Sequence, residues 1–396
     1  MSPQSLKPGW KMVKFGEVVR QCKESVDRDN NPFGRYVEGG HMDSDNIHIR
    51  RWGEFGADYV GPAFHRIFRK GQVLYGSRRT YLKKVAVADF DGITANTTFV
   101  CETKDKSIFM QELLPFLMLT DSFTEHSIRE SKGSTNPYIN WPDIAKYEFP
   151  LPPLDEQKRI AEILWAADEA ICSQRSLVSD VRNAQAVFFD SRMKADSANQ
   201  ALLGNALQTI VAGKSPQGAS RPANDDEFGV LKVSAVGNDC FVETENKALV
   251  KQADFNDEYE VKTGFILVTR ANALPSGVGR PCVVKNVRPG LMLSDKTLRL
   301  VPNEETVFER FLYQNLLSRN YRKYVETAAG GTEAKNISQD RLKKAPIWLP
   351  SLETQQAVTK TLLSFDQTIE RAEASLDNSQ SMLRALNSNW VEVLHV

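Results

Sequence analysis

The sequence predicts an α+β protein built as two tandem copies of one plan, each an irregular mixed α/β unit followed by one long helix. Three observations predict it. The stretch Leu151-Pro-Pro-Leu-Asp-Glu-Gln157 returns as Leu349-Pro-Ser-Leu-Glu-Thr-Gln355, an offset of 198 residues in a chain of 396. Each copy is followed by a long run free of Gly and Pro, with apolar residues seven apart. Short motifs in front of each copy also recur in the same order. The plan divides the chain into a unit over 1–150, a helix over 151–198, a second unit over 199–350 and a second helix over 351–396.

In the first unit, Trp10 to Cys22 suggests a short amphipathic start with Phe15, Val18 and Val19 inward. Asn30-Asn-Pro-Phe-Gly34 and Glu38-Gly-Gly-His41 are turns. Val73–Tyr75, Lys84–Ala88 and Thr97–Cys101 are rich in β-branched and apolar residues and read as strands. Phe109 to Leu119 reads as a buried helix, and Ser131 to Tyr138 as a polar loop leading back to Leu151. Pro152 and Pro153 stand where a helix tolerates proline, at its start. From there Leu164, Ile171, Val178 and Gln185 form one heptad line, and Ala167, Gln174, Val181 and Phe188 the other. About 40 residues at roughly 1.5 Å each make a rod of about 60 Å.

The second unit echoes the first. Leu203-Gly-Asn-Ala-Leu207 follows Phe15-Gly-Glu-Val-Val19, and Lys262-Thr-Gly-Phe-Ile-Leu267 follows Arg69-Lys-Gly-Gln-Val-Leu74. Ser294–Leu298 follows Ala95–Phe99, and Gly331–Ile337 follows Gly133–Ile139. The last segment is the better heptad: Leu362, Ile369, Leu376, Leu383 and Trp390 on one line, and Phe365, Ala372, Ser379, Leu386 and Val393 on the other. Two helices of equal length and phase most simply bury their seams on each other as an intramolecular coiled coil. The alternative is that each helix packs on its own unit. Each buried Leu-sized side chain contributes about 1.5–3 kcal/mol, and the polar Gln174, Gln185 and Ser379 can set the register.

Composition bounds the function. The hydrophobic content of 41% and charged content of 25% suit a soluble globular chain. No apolar run is long enough to span a bilayer, and the N-terminal residues lack a signal-peptide core. Five scattered cysteines without a Cys-x-x-Cys pair suggest reduced thiols and a cytoplasmic setting. The formal net charge is zero, but 1–150 carries 21 Lys/Arg against 19 Asp/Glu, 199–350 carries 20 against 17, and the two helical segments carry 9 against 14.

Catalytic signatures are weak. There is no P-loop, and Gly277-Val-Gly279 before Arg280-Pro281 reads as a turn. The five histidines are dispersed, so no metal site is expected from them. Asn31-Pro-Phe33 and Asn136-Pro-Tyr138 approach the signature of amino-methyltransferases but lack its second proline, and no glycine-rich loop for S-adenosylmethionine accompanies them. Pro142-Asp143 with Glu156-x-Lys158 formally fits a metal-dependent nuclease pattern, yet Glu156 and Lys158 fall in the first helical turn. The sequence thus predicts no catalytic residues.

Binding signals are stronger. The window Arg66 to Lys84 holds seven basic residues and no acid. Basic groups neutralise phosphates, and arginine forks read guanine edges. Its candidate DNA contacts are Arg78, Arg79, Lys83, Lys84 and Tyr81, and the equivalent region of the second half offers Arg270, Asn272 and Arg280. Two loops at equivalent places add Lys132, Asn136 and Tyr138, and Lys335 and Asn336. Small residues there let a backbone approach closely, while amide, ammonium and phenol groups meet phosphates and bases.

At Leu151-Pro-Pro-Leu-Asp-Glu-Gln-Lys-Arg-Ile160, with Ile163, Leu164, Asp168 and Ile171, the chain resembles the specificity subunit of type I restriction-modification enzymes. The second copy keeps Pro350, Leu352, Gln355 and Val358 but has Thr354 where the family has Glu. The resemblance covers the whole chain. It implies two target-recognition domains, each followed by a spacer helix, with the helices antiparallel and the domains related by a pseudo-twofold. Each domain would read one half of an asymmetric, bipartite site in double-stranded DNA. Two modification subunits carrying S-adenosylmethionine would dock on this chain. Restriction subunits bringing ATP, Mg and cleavage would join them, so no cofactor belongs to the chain itself. The competing class is a coiled-coil scaffold that assembles partners without reading DNA.

Overall fold

The computed structural model describes residues 6–27, 30–56, 60–237, 240–331 and 335–391. It divides into two compact units, one running to Arg175 and resuming at Glu373, the other spanning Ser176–Ala372. Each unit therefore holds one globular domain and half of each long helix.

The first domain contains β1 (Lys11–Lys14), the one-turn helix α1 (Phe15–Val18), β2 (Val19–Cys22), β3 (Arg35–Val37), β4 (Gly53–Glu54), β5 (Phe64–Phe68), β6 (Val73–Gly76), β7 (Val85–Val87), β8 (Gly92–Ala95) and β9 (Thr98–Thr103). Then come α2 (Leu114–Leu119), α3 (Asp121–Arg129), α4 (Trp141–Ile144), β10 (Glu148–Leu151) and the long helix α5 (Leu154–Ala195). One sheet has the order β2-β9-β6-β7, a second β4-β3-β8-β5, and β1 pairs with β10. The segment Trp10 to Cys22 is strand, turn and strand, with Phe15, Val18 and Val19 buried as expected. The segment 109–119 begins as a 3-10 turn and becomes α-helical only at Leu114, with Pro115 in the first turn, where its missing N–H costs nothing.

The second domain contains β11 (Gln200–Leu202), β12 (Leu207–Ala212), β13 (Gly229–Leu231), β14 (Asn246–Ala248), β15 (Ile266–Thr269), β16 (Ala271–Asn272), β17 (Pro281–Val283), β18 (Leu291–Met292) and β19 (Thr297–Pro302). It continues through α6 (Glu309–Leu317), α7 (Arg319–Ala328), β20 (Lys335–Asn336), α8 (Gln339–Leu342), β21 (Pro346–Trp348) and the long helix α9 (Leu352–Val391). The sheet β12-β19-β15-β17 repeats the order of β2-β9-β6-β7, and the parallel pair β13-β18 matches β3-β8. Among the described residues no helix is long and apolar enough to cross a membrane.

The sequence echoes land on equivalent backbone bonds. Phe15 N–H donates to Tyr147 and Gly16 N–H to Ala145; Leu203 N–H donates to Ala345 and Gly204 N–H to Lys343. A Cβ at Gly16 would lie 2.7 Å from the Ala145 Cβ, which is why a glycine opens this turn. Gly71 and Gly264 both have positive φ (87° and 90°) and donate to Ala88 and Val284 at 2.8 Å.

The long helices pack in two ways. In the first unit, Ala161 and Leu164 of α5 and Trp390 and Val391 of α9 join the domain core around Phe15, Phe116 and Phe149. In the second unit, Phe189 and Met193 of α5 and Val358 and Leu362 of α9 join the core around Phe311 and Trp348. Between these anchors the helices meet each other. Gln174 donates to Ser375 Oγ at 3.1 Å, and Gln185 donates to Asp366 at 2.8 Å. Residue numbers rise along α5 as they fall along α9, so the coiled coil is antiparallel. Both ways of burying the helices are realised, on different stretches of the same helix. Val393, the end of the second heptad line, lies outside the described residues.

Each helix start is held by a buried glutamine. Gln157 accepts from Met110 N–H at 2.9 Å and donates at 2.8 Å to both Ile108 and Pro152 carbonyls. Gln355 accepts from Phe308 N–H at 3.2 Å and donates to Thr306 at 2.8 Å and Pro350 at 2.9 Å. Each amide thus ties the long helix to the loop that opens its domain's helical layer. At the substituted position, Glu156 accepts from the Trp10 indole at 3.0 Å, whereas Thr354 bonds within its own turn, to Ser351. Replacing Gln157 or Gln355 by Leu strands one buried N–H and two carbonyls. Urea unfolding is expected to show a loss of about 1–3 kcal/mol for each, and a neutral result would show that water replaces the amide.

Candidate nucleic-acid interface

The basic window and the polar loop of the first domain are one structure. β6 runs out at Gly76, and Ser77 is bracketed by two neighbours: its N–H donates to Thr97 at 3.0 Å, and its carbonyl accepts from Ile139 at 2.9 Å. Beyond it Arg78 bridges Tyr138, and Arg79 N–H donates to Pro137 at 2.6 Å. Lys132 and Tyr138 exchange backbone bonds of 2.8 and 2.9 Å, closing the loop around Gly133, whose φ is 87°. The Arg78 guanidinium lies 5.9 Å from the Tyr138 ring.

The second domain repeats the construction. Arg270 N–H donates to Lys296 at 2.8 Å, and its carbonyl accepts from Ile337 at 3.0 Å. β16 then pairs with β20, placing Ala271 opposite Asn336 and Asn272 opposite Lys335. Asn336 also exchanges bonds with Gly330 at 2.9 and 2.7 Å. Residues 332–334 of this loop lie outside the described residues.

The side chains of the candidate residues divide sharply. Arg78, Arg79, Asn136 and Asn336 are exposed, and Tyr81 and Tyr138 are 52% and 40% exposed. Lys83 instead pairs with Asp121. Lys84 turns inward to the Gly39 carbonyl, and burial, with Arg79 and Arg51 nearby, holds its ammonium below the usual lysine range. Lys132 reaches Asp143 at 3.2 Å. In the second domain Arg270 donates to the Asp295 carbonyl at 3.3 Å, Lys335 to the Gly331 carbonyl at 2.7 Å, and Asn272 accepts from Leu274 N–H at 3.2 Å. Arg280 is half-buried, and its N–H donates to Thr269 Oγ1. The window that carries no acid in sequence is met by acids from elsewhere: Arg69 pairs with Glu24 and Asp91.

The nuclease-like carboxylates are not gathered. Asp143 is held between Lys132 and Lys146, which draw its carboxyl below the usual range, and Glu156 is taken by Trp10. A different group was not legible in the sequence. Asp168 and Cys172, one turn apart on α5, meet His48 from a loop of the same unit. His48 Nε2 lies 2.6 Å from Asp168 Oδ2 and 3.2 Å from Cys172 Sγ, and the three donor atoms fall within 4.8 Å of one another. The spacing of Asp168 and Cys172 marks one helix face; only the fold supplies the histidine.

The family model for the type I restriction modification DNA specificity domain matches residues 8–177 and again 208–377. The chain is 33% identical over 181 residues to the type I restriction enzyme EcoEI specificity subunit of Escherichia coli, covering 45% of this chain and 30% of that one. It is 25% identical over 295 residues to the MjaVIII specificity subunit of Methanocaldococcus jannaschii, covering 70% and 68%. Among solved structures it is similar to a chain from the structural basis of complex assembly and conformational transition of the type I R-M system. That match has 21% identity, 99% coverage of both chains and a TM-score of 0.50.

Arg79 sits at φ 49°, a left-handed conformation that costs a non-glycine residue about 1–2 kcal/mol. Its guanidinium is exposed, so Arg79→Gly is expected to keep or raise stability, by up to about 1 kcal/mol. Urea unfolding checks this; a clear drop would reveal a structural role of the guanidinium.

Proposed function

The chain belongs to the type I restriction modification DNA specificity family, as a non-catalytic specificity subunit with two copies of the domain, and we propose how it reads DNA. Each domain, 1–150 and 199–350, reads one half of a bipartite asymmetric site in double-stranded DNA. The spacer helices, 151–198 and 351–396, hold the two readers apart. The observation that carries this is the repeated pairing of two loops at the same strand end in both domains. Arg78, Arg79, Tyr81, Asn136 and Tyr138 present the contacts of the first, and Arg270, Asn272, Arg280, Lys335 and Asn336 those of the second. Lys83, Lys84 and Lys132 serve this surface by holding its loops through Asp121, Gly39 and Asp143.

The arrangement suits DNA physically. Arginines on a loop reach phosphates and guanine edges, while amides pair with adenine edges. Two modification subunits dock on the chain and bring S-adenosylmethionine; restriction subunits, where present, bring ATP and Mg. This chain supplies position and no chemistry, and it works in the cytoplasm.

Charge reversal at Arg78 and Arg79 tests the reading. In the assembled complex R78E/R79E is expected to weaken DNA binding while leaving assembly intact. It is also expected to flatten the dependence of log K on log salt by about 0.9 for each phosphate no longer neutralised. Unchanged affinity at low salt would remove the window from the interface and favour a scaffold. Exchanging residues 1–150 for the corresponding domain of another family member is expected to change one half of the methylated sequence. A change in both halves would overturn the assignment of one domain to one half-site.

A further inference from the structure

We propose that His48, Asp168 and Cys172 form a binding site for a divalent transition metal of the zinc class. Cys172 and Asp168 both address the same imidazole nitrogen, Nε2, at 3.2 and 2.6 Å. That excludes a nucleophile–base–orienter chain, in which the carboxylate must take the other ring nitrogen. It also means that Nε2 bonds one of the two at a time, the sulfur otherwise accepting from the Arg50 guanidinium at 3.6 Å. If Nε2 donates its proton to Asp168 it has no lone pair for the thiol; if it accepts from the thiol it has no proton for the carboxylate. A single proton bridges two of the three atoms, whereas a cation bridges all three.

The donor set fits the chemistry. Imidazole nitrogen, carboxylate oxygen and thiolate sulfur are the ordinary ligands of zinc, at about 2.0–2.3 Å each. Around a tetrahedral ion such ligand atoms lie about 3.3–3.7 Å apart; the sulfur, at 3.2 Å from Nε2, falls just short of that spacing, and the carboxylate, at 2.6 Å, has to open by roughly 0.7 Å to admit the ion. Asp168 and Cys172 come from one rigid helix face. A cavity of about 170 Å³ adjoins all three residues and gives room for water at a fourth position. Metal binding expels the thiol proton to solvent and forms the sulfur–metal bond. The Arg50 guanidinium, 3.6 Å from Sγ, stands beside the resulting thiolate.

The site occurs in one half of the repeat. At the offset of 198, Asp168 corresponds to Asp366, whose carboxylate is taken by both forks of Arg310, at 2.6 and 2.8 Å, and by Gln185. Cys172 corresponds to Glu370, which pairs with Lys285 at 3.2 Å. Where the second half neutralises its carboxylate with arginine, the first leaves it to His48. The His48 loop also underlies the basic window, since Ser44 bridges Lys84 and Asp45 N–H donates to the Lys83 carbonyl at 3.1 Å. Metal would pin that loop to α5.

Cobalt titration of the full-length chain, freed of metal by chelator, decides the matter. One equivalent of Co²⁺ is expected to give a thiolate-to-cobalt charge-transfer band that Zn²⁺ displaces. The band is expected to vanish in Cys172→Ser, and affinity to fall by more than about tenfold in His48→Gln. Circular dichroism and urea unfolding without metal check that both variants fold. A wild-type chain that takes up no stoichiometric cobalt overturns the proposal whatever the variants do. So does a band that survives Cys172→Ser, since the thiolate would then be another cysteine.

Discussion

The arrangement of each half depends on one buried primary amide. Gln157 and Gln355 each satisfy one N–H and two carbonyls inside the joint between domain and long helix. A buried polar group is tolerated only when fully paired, and three geometrically fixed partners leave the amide a single orientation. The first turn of the helix is thereby locked to the loop before α2 or α6, and the helix direction is set where it leaves the domain. Glu156 adds a second tie to Trp10 in the first half. Thr354 bonds within its own turn, and the second joint rests on Gln355, the packing of Val358 and Leu362, and the Arg310–Asp366 pair between α6 and α9.

With the helix direction set, the seam needs little further specification. Its apolar anchors are at the ends, inside the domain cores, and its polar pairs lie between them. Gln174 with Ser375 and Gln185 with Asp366 favour one register, because a slip would leave a polar group facing apolar neighbours. The same strategy governs the reading surface. Two loops from distant parts of the domain are stitched by backbone bonds at a strand end, so side chains can differ while the platform stays. Arg78 and Ala271 occupy corresponding places on that platform and share nothing chemically.

Charge shows how far such a platform departs from its linear order. Seven basic residues between Arg66 and Lys84 look like one continuous patch. In the fold, Glu24, Asp91 and Asp121 take Arg69 and Lys83, and Lys84 is folded inward. Arg66 is spent on the Lys23 carbonyl and Ser25, and what remains displayed is Lys70 and the pair Arg78 and Arg79, with Tyr81 and Tyr138. The acids that quench the patch come from 22 to 45 residues away along the chain, beyond any local window.

The repeat, the helix starts, the heptad seam and the pairing of loops across the two halves are all written in the order of residues. They are periodic or duplicated features, and periodicity survives in one dimension: a glutamine at 157 and again at 355, a glycine at 71 and again at 264, apolar residues every seventh position. Folding in three dimensions settled which candidate side chains are displayed and which are spent on ion pairs. It showed that each helix packs on a domain at its ends and on its partner between. It also brought His48 to Asp168 and Cys172 across 120 and 124 residues of chain. Those outcomes depend on contacts between residues distant in sequence, whose partners no local pattern names, because burial and pairing are set by the packed neighbours.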